Sequence, residues 1–182
     1  MIPSKGGREI GPELRAYAAT ASPGESIVEL GTWLGAGTVE LSSGAPAGVE
    51  VHTYDRFRGS AGNPVGQVVE NLQGCKNVWA HSGEITNAVW KGGSIAVHVD
   101  DACKRSPTFE RALEIFSPFW RPGTILVLMD YFWSKRHPNE ENAQAQPRFI
   151  ERNVDRFRTI KLWAGKSCAA FEYLGGQLSV RA

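Results

Sequence analysis

The chain is 182 residues long, one domain's worth, since domains most often run about 100–150 residues. Hydrophobic residues at 42% and charged residues at 21% support a packed core and exclude wholesale disorder. Twenty Lys and Arg against nineteen Asp and Glu leave +1, which argues against a dedicated nucleic-acid binder, whose phosphate contacts demand a basic surplus.

Met1 to Glu9 contain no apolar run of the kind a secretory signal needs. Residues 1–25 read as an N-terminal helical extension, with Leu14, Tyr17 and Ala18 on one helix face. Short β-rich runs then alternate with helix-period stretches. The candidate strands are Ser26–Leu30, Val49–Asp55, Asn77–His81, Ser94–Asp100, Thr124–Asp130, Phe157–Ala164 and Cys168–Leu174. Between them, Val65, Val68, Val69 and Leu72 share a helix face, as do Ile85, Ala88 and Val89, and Phe109, Ala112, Leu113 and Phe116. Asn63-Pro64 and Ser106-Pro107 each read as a capping side chain before a proline at the first helical position. Pro118 and then Pro122-Gly123 read as the stop between the fourth helix and a strand at Thr124. The longest unbroken apolar stretch, Ile125 to Met129, is too short to cross a bilayer.

Five strands joined by crossovers form a parallel sheet, and only Gly165-Lys166-Ser167 separates the last two strands, so these form an antiparallel hairpin. The expectation is one α/β domain over residues 1–182, with helices on both faces of about seven strands. Residues 133–147 form a long polar stretch after a strand end, the place for a substrate lid. Arg148, Arg152 and Arg156 recur every four residues on the helix expected next, opposite Phe149, Ile150, Val154 and Phe157. That stripe is a solvated face or a contact for an anionic substrate. Cys75, Cys103 and Cys168 are odd in number and scattered, which fits a reduced, cytoplasmic setting.

Open parallel sheets bind ligands beyond the carboxyl ends of their strands. The first strand runs into Gly31-Thr32-Trp33-Leu34-Gly35, where glycines allow a sharp turn and a helix N-terminus follows. The second strand ends in Asp55, an acid placed to accept hydrogen bonds from a ribose diol. A dinucleotide fingerprint wants G-x-G-x-x-G, but the first two glycines here stand four apart with Trp33 between them. Gly165-Lys166-Ser167 imitates the tail of a P-loop, yet Ile160 stands where the first glycine belongs and a strand follows.

Glu29, Gly31, Gly35 and Thr38 in the spacing E-x-G-x-x-x-G-x-x-T, with Asp55 ending the next strand, resemble class I S-adenosylmethionine-dependent methyltransferases. The sequence is most similar to the macrocin-type O-methyltransferases and the methyltransferase domain 24 group, through Val51 to Phe57, Val97 to Asp100, Arg121-Pro122-Gly123 and Met129 to Trp133. The likeness covers Ser26 to Leu174. It implies a Rossmann-like class I methyltransferase sheet with a C-terminal antiparallel hairpin, and methyl transfer from S-adenosylmethionine to a hydroxyl of a small molecule, a sugar or a natural-product scaffold. The implied cofactor residues are Glu29, Gly31, Gly35 and Thr38 toward the methionine end, Asp55 on the ribose, and Arg56 and Phe57 beside the adenosine. Ser82-Gly83-Glu84 falls where such proteins contact adenine, and Asp100 closes the set.

In the resembling metal-dependent enzymes, acids at the ends of the fourth and fifth strands bind a divalent cation such as Mg²⁺. Here those acids are Asp100, with Asp101 beside it, and Asp130. Met129 stands where an acid or histidine is usual, and Asp101-Ala102-Cys103 replaces the family's pattern after the fourth strand, so the oxygen shell for Mg²⁺ is thin. Candidate catalytic residues are Asp100, Asp130 and the lid histidine His137. His98 alternates with Asp100 on one strand face and reads, like His52, as a hydrogen-bonded core residue, while His81 has no clear assignment. Tyr131-Phe132-Trp133 serve either packing or an acceptor pocket. Acceptor recognition would come from the lid, the N-terminal helix or a second subunit of a homodimer. Two other readings stay open: a cofactor-binding module that has lost catalysis, and a nucleic-acid methyltransferase using Lys135-Arg136 and the Arg stripe.

Overall fold

The computed structural model describes residues 10–57 and 65–181. Among these a seven-stranded sheet runs in the order β3-β2-β1-β4-β5-β7-β6. The strands are β1 (Ser26–Leu30), β2 (Glu50–Asp55), β3 (Val78–Ser82), β4 (Ile95–Asp100), β5 (Trp120–Leu128), β6 (Phe157–Trp163) and β7 (Cys168–Tyr173). The first five pair in parallel, and β7 lies antiparallel to both β5 and β6. The expected sheet with its terminal hairpin is therefore present.

Strand alternation sorts the side chains into two cores. Ile27, Val51, Val97, Val99 and Val127 pack with Leu14 of α1 (Gly11–Ala18) and Leu41 of α2 (Ala36–Gly44). Val28, Leu30, Leu126 and Leu128 point the other way, onto α4 (Thr108–Phe116) and α5 (Ala145–Arg152). Phe109, Leu113 and Phe116, at i, i+4 and i+7, make one buried stripe on α4. Each such side chain contributes about 1.5–3 kcal/mol by leaving water. His98 belongs to the same layer: Trp120 Nε1 donates to its Nδ1 at 3.2 Å, and burial pushes its pKa down to about 3. His52 is half-buried, with its Nδ1 3.1 Å from His81 Nε2, and Tyr54 stacks on His81.

Several local readings need correction. No α-helix bridges β3 and β4; a single 3-10 turn at Ile85–Asn87 does, and Val89 is exposed. Pro107, rather than Ser106, holds the N-cap of α4, and no side chain caps that helix. Asn63-Pro64 lies outside the described residues. Pro122-Gly123 does not precede the fifth strand but forms an irregularity within it, where the β4–β5 register skips from Ile95↔Trp120 to Val97↔Ile125. Thr124 holds that kink, accepting from the Arg121 N–H at 3.0 Å and donating to the Ile95 carbonyl at 2.6 Å. On α3 (Val65–Leu72), Val68 is buried while Val65 and Val69 stay exposed.

The stretch expected to serve as a lid is shorter and more ordered than its polarity suggests. It folds into 3-10 turns at Tyr131–Arg136 and Glu141–Gln144, and α5 begins at Ala145. The Arg stripe breaks up as well. Arg148 pairs with Glu141, Arg152 donates to the Val180 carbonyl, and Arg156 lies beyond the end of α5 in a 3-10 turn. Val154, expected inside, is exposed.

Candidate functional site

The chain runs β1, β2, β3 outward along one half of the sheet, then returns to place β4 on the other side of β1. Ligand crevices form beyond the carboxyl ends of strands at such a reversal. The ends are level: Leu30 pairs with Tyr54 on one side and with Asp100 on the other, and Asp100 pairs with Leu128. Beyond them opens a cavity of about 640 Å³.

At the β1–β2 side, Gly31 turns the chain at φ +100°, and a Cβ there would lie 3.1 Å from the Asp101 carbonyl carbon. Only glycine meets both the conformation and the close approach. Asp55 fixes the turn from the neighbouring end of β2. Its Oδ2 accepts the Trp33 N–H and its Oδ1 the Phe57 N–H, each at 2.9 Å. Each carboxylate oxygen has a second lone pair to offer, and Asp55 lines the cavity. Behind the turn, Glu29 Oε2 accepts from Thr38 Oγ1 at 2.5 Å and from Thr53 Oγ1 at 2.7 Å. Because Thr53 spends its proton on Glu29, Thr32 Oγ1 must donate to Thr53, 2.5 Å away. Burial pushes the Glu29 carboxyl up to about 7, although the two threonine bonds favour its charged form.

Arg56 and Glu84 face each other over the rim at 3.7 Å, and Ile85 and Thr86 continue the wall. Gly35 caps α2 in the left-handed region at φ +85°, behind the turn. Thr38 is fully buried and reaches the cavity only through Glu29. Ser82 lines a separate apolar groove between α3 and β3.

The β4–β5 side is differently built. Asp100 is buried, with its Oδ1 accepting from the backbone N–H of Ala102 at 3.0 Å and of Cys103 at 2.7 Å. Its Oδ2 has no hydrogen-bond partner, and burial raises the carboxyl to about 6. It shapes the loop after β4. Asp101, one residue past the strand, is the acid that lines the cavity. Its depth in the cleft, then the charges of Asp130, Glu29 and Asp100, hold its carboxyl above the usual range. Its side chain is open to the cavity.

Asp130 also lines the cavity, and Lys104 Nζ sits 2.7 Å from its Oδ2. Lys104 further approaches the Trp133 ring at 5.4 Å, beside Arg105 at 4.7 Å. His137 does not line the cavity. It stacks near Trp133 and its Nδ1 lies 2.7 Å from Glu140 Oε1, while Glu140 also takes Arg105.

Lys104, Thr32 and Ile85 line the cavity without having been expected there, and Asp101, expected only beside Asp100, lines it in place of Asp100. The adjacency of Asp101 to Asp100 was the one visible signal. Among the described residues the cavity wall carries five acids, Glu29, Asp55, Glu84, Asp101 and Asp130, against Arg56 and Lys104.

Strand order and hairpin give a Rossmann-like fold, which the chain shares with solved O-methyltransferase structures. No protein-family profile and no curated protein matches the chain. Among solved structures it is similar to the O-methyltransferase NovP, with TM-score 0.71 and 13% identity over 91% of this chain and 79% of that one. It is also similar to the O-methyltransferase TomG from Streptomyces achromogenes, involved in tomaymycin synthesis and solved with S-adenosylmethionine. That match has TM-score 0.64 and 18% identity over 97% and 82% of the two chains. An O-methyltransferase from Bacillus cereus, solved with S-adenosylhomocysteine, matches at TM-score 0.64 and 18% identity over 96% and 83%.

Proposed function

We propose that the chain is an S-adenosylmethionine-dependent O-methyltransferase acting on a hydroxyl of a small molecule. The observation that carries this reading is the convergence of the Gly31 turn and Asp55 on one wall of the cavity with Asp101, Asp130 and Lys104 on the other. The donor set suits the cofactor. It is a cationic nucleoside with a ribose diol, and the cavity offers it surplus carboxylates and no pyrophosphate cradle. Bound there, S-adenosylmethionine would supply a methyl group on a positively charged sulfur, ready for in-line displacement by an oxygen.

The chain's own residues take the remaining tasks. Asp55 accepts from the ribose hydroxyls with the lone pairs left over from Trp33 and Phe57. Gly31 admits the ligand close to the backbone, with Glu29, Thr38 and Gly35 holding the turn from behind. Arg56, Glu84 and Ile85 flank the base, on the side where the sequence placed Ser82 to Glu84. Asp130 is the acid placed to receive the acceptor's proton, while Asp100 sets the loop that carries Asp101 and Lys104. His137 acts through the lid: it braces Trp133 and Glu140 beside Lys104 and Arg105.

The breadth of the cavity and the part TomG plays in tomaymycin synthesis favour a natural-product or sugar hydroxyl as acceptor. The odd number and scattered positions of Cys75, Cys103 and Cys168 favour a cytoplasmic setting. No helix among the described residues is long and apolar enough to cross a membrane. Incubation with methyl-labelled S-adenosylmethionine and a library of hydroxylated acceptors tests the activity. Label transfer supports it, and tight cofactor binding with no transfer to any acceptor would leave only a binding module.

A further inference from the structure

In the metal-dependent enzymes that the sequence resembles, a divalent cation lies between the acids ending the fourth and fifth strands, and this chain does not fit one. Mg²⁺ takes near-octahedral oxygen ligation at about 2.0–2.1 Å. Asp100 turns Oδ1 onto two backbone N–H groups and keeps Oδ2 buried. Asp130 is already paired with Lys104 at 2.7 Å. Met129, its neighbour, offers a thioether, which suits a hard cation poorly. Among the described residues no three His, Cys, Asp or Glu side chains converge as a ligand set.

We propose that the Lys104 ammonium takes the place of the divalent metal, as a fixed cation that positions the acceptor oxygen against Asp130. The inference rests on the methyltransferase reading for its purpose but on the Lys104–Asp130 geometry for its content. An ammonium has three N–H donors. One goes to Asp130 Oδ2, and the remaining donors are available to an oxygen entering the cavity that both residues line. The loop that carries Lys104 is set by the Asp100 turn, and Trp133 packs along the cation from the lid side. A point charge held in this way attracts a hydroxyl oxygen and favours its anionic form, the two services a metal would render. It does so with no ion to load.

The test reads metal binding directly. Mn²⁺ is titrated by electron paramagnetic resonance into the wild-type protein, into Lys104→Ala and Lys104→Arg, and into Lys104→Ala with Asp130→Asn. Removing the cation should free Asp130, so Lys104→Ala gains Mn²⁺ affinity by at least about tenfold over wild type. Adding Asp130→Asn should remove the gain, and Lys104→Arg, which keeps the charge, should show none. Calorimetric titration of S-adenosylmethionine into the same variants checks that the crevice is intact. If the wild type binds Mn²⁺ as tightly as Lys104→Ala, through Asp130, the substitution of ammonium for metal is overturned. If Mn²⁺ behaves as expected while no variant binds S-adenosylmethionine, the Lys104 assignment stands and the methyltransferase reading fails.

Discussion

On the β1–β2 wall of the crevice, the polar side chains that hold the turn are paired within the chain: Asp55 to Trp33 and Phe57, Glu29 to Thr38 and Thr53. On the β4–β5 wall, acids crowd together with one ammonium among them, and a buried carboxylate oxygen goes without a partner. The first wall is preorganised for a ligand of fixed shape. The second, in the reaction proposed above, would keep charge in reserve for a reacting group, at a cost in folding stability.

The comparison breaks most sharply at Gly31. Gly31→Ala forces a side chain into a left-handed conformation against the loop after β4. We expect a loss of about 2–3 kcal/mol in urea denaturation and no measurable S-adenosylmethionine binding. An unchanged denaturation midpoint would show that the two walls do not abut there.

The buried acids make a pH prediction of opposite sign to the buried histidine. Folding raises Glu29 from 4.5 to about 7, so between those values the folded protein binds more protons than the unfolded chain. Stability then falls as pH rises through that window, by about 1–3 kcal/mol for this group. Glu29→Gln should flatten that limb in denaturation curves taken from pH 4.5 to 7.5. His98 works the other way: its pKa drops from 6.5 to about 3, so stability falls as pH falls below about 6.5. His98→Gln, which keeps an acceptor for Trp120, should soften the acid limb. A limb unchanged in either variant would move the burden to other groups.

The smallest effect belongs outside the crevice. Arg148→Ala removes an exposed pair with Glu141 and should change stability by less than about 0.5 kcal/mol. Cofactor affinity should not move, since Arg148 does not line the cavity. A weakened affinity would show that Arg148 acts on the cofactor crevice after all.

The sheet was legible because period-2 runs and short turns leave few alternatives. β1 appears at the expected residues, and the four residues between β6 and β7 permit only a hairpin. The β3–β4 connection misled because Ile85, Ala88 and Val89 have helical spacing, yet Lys91-Gly92-Gly93 follow at once and only Ile85 is buried. The glycine turn and Asp55 were legible as a pair because both sit at strand ends. Asp101 and Lys104 were harder to read. Which of two adjacent acids enters the cavity depends on the Asp100 side chain folding back onto its own loop. The partner of Asp130 lies 26 residues away and is brought to it by the β4–β5 register.

In the proposed function, the crevice beyond β1 and β2 binds a sulfonium nucleoside through Asp55. Isothermal titration of S-adenosylmethionine into the wild type and Asp55→Asn tests it most directly. We expect saturable one-to-one binding by the wild type and an affinity at least about tenfold weaker in the variant, whose amide N–H₂ meets the Trp33 or Phe57 N–H. No heat from the wild type, or equal affinity in both proteins, would contradict it.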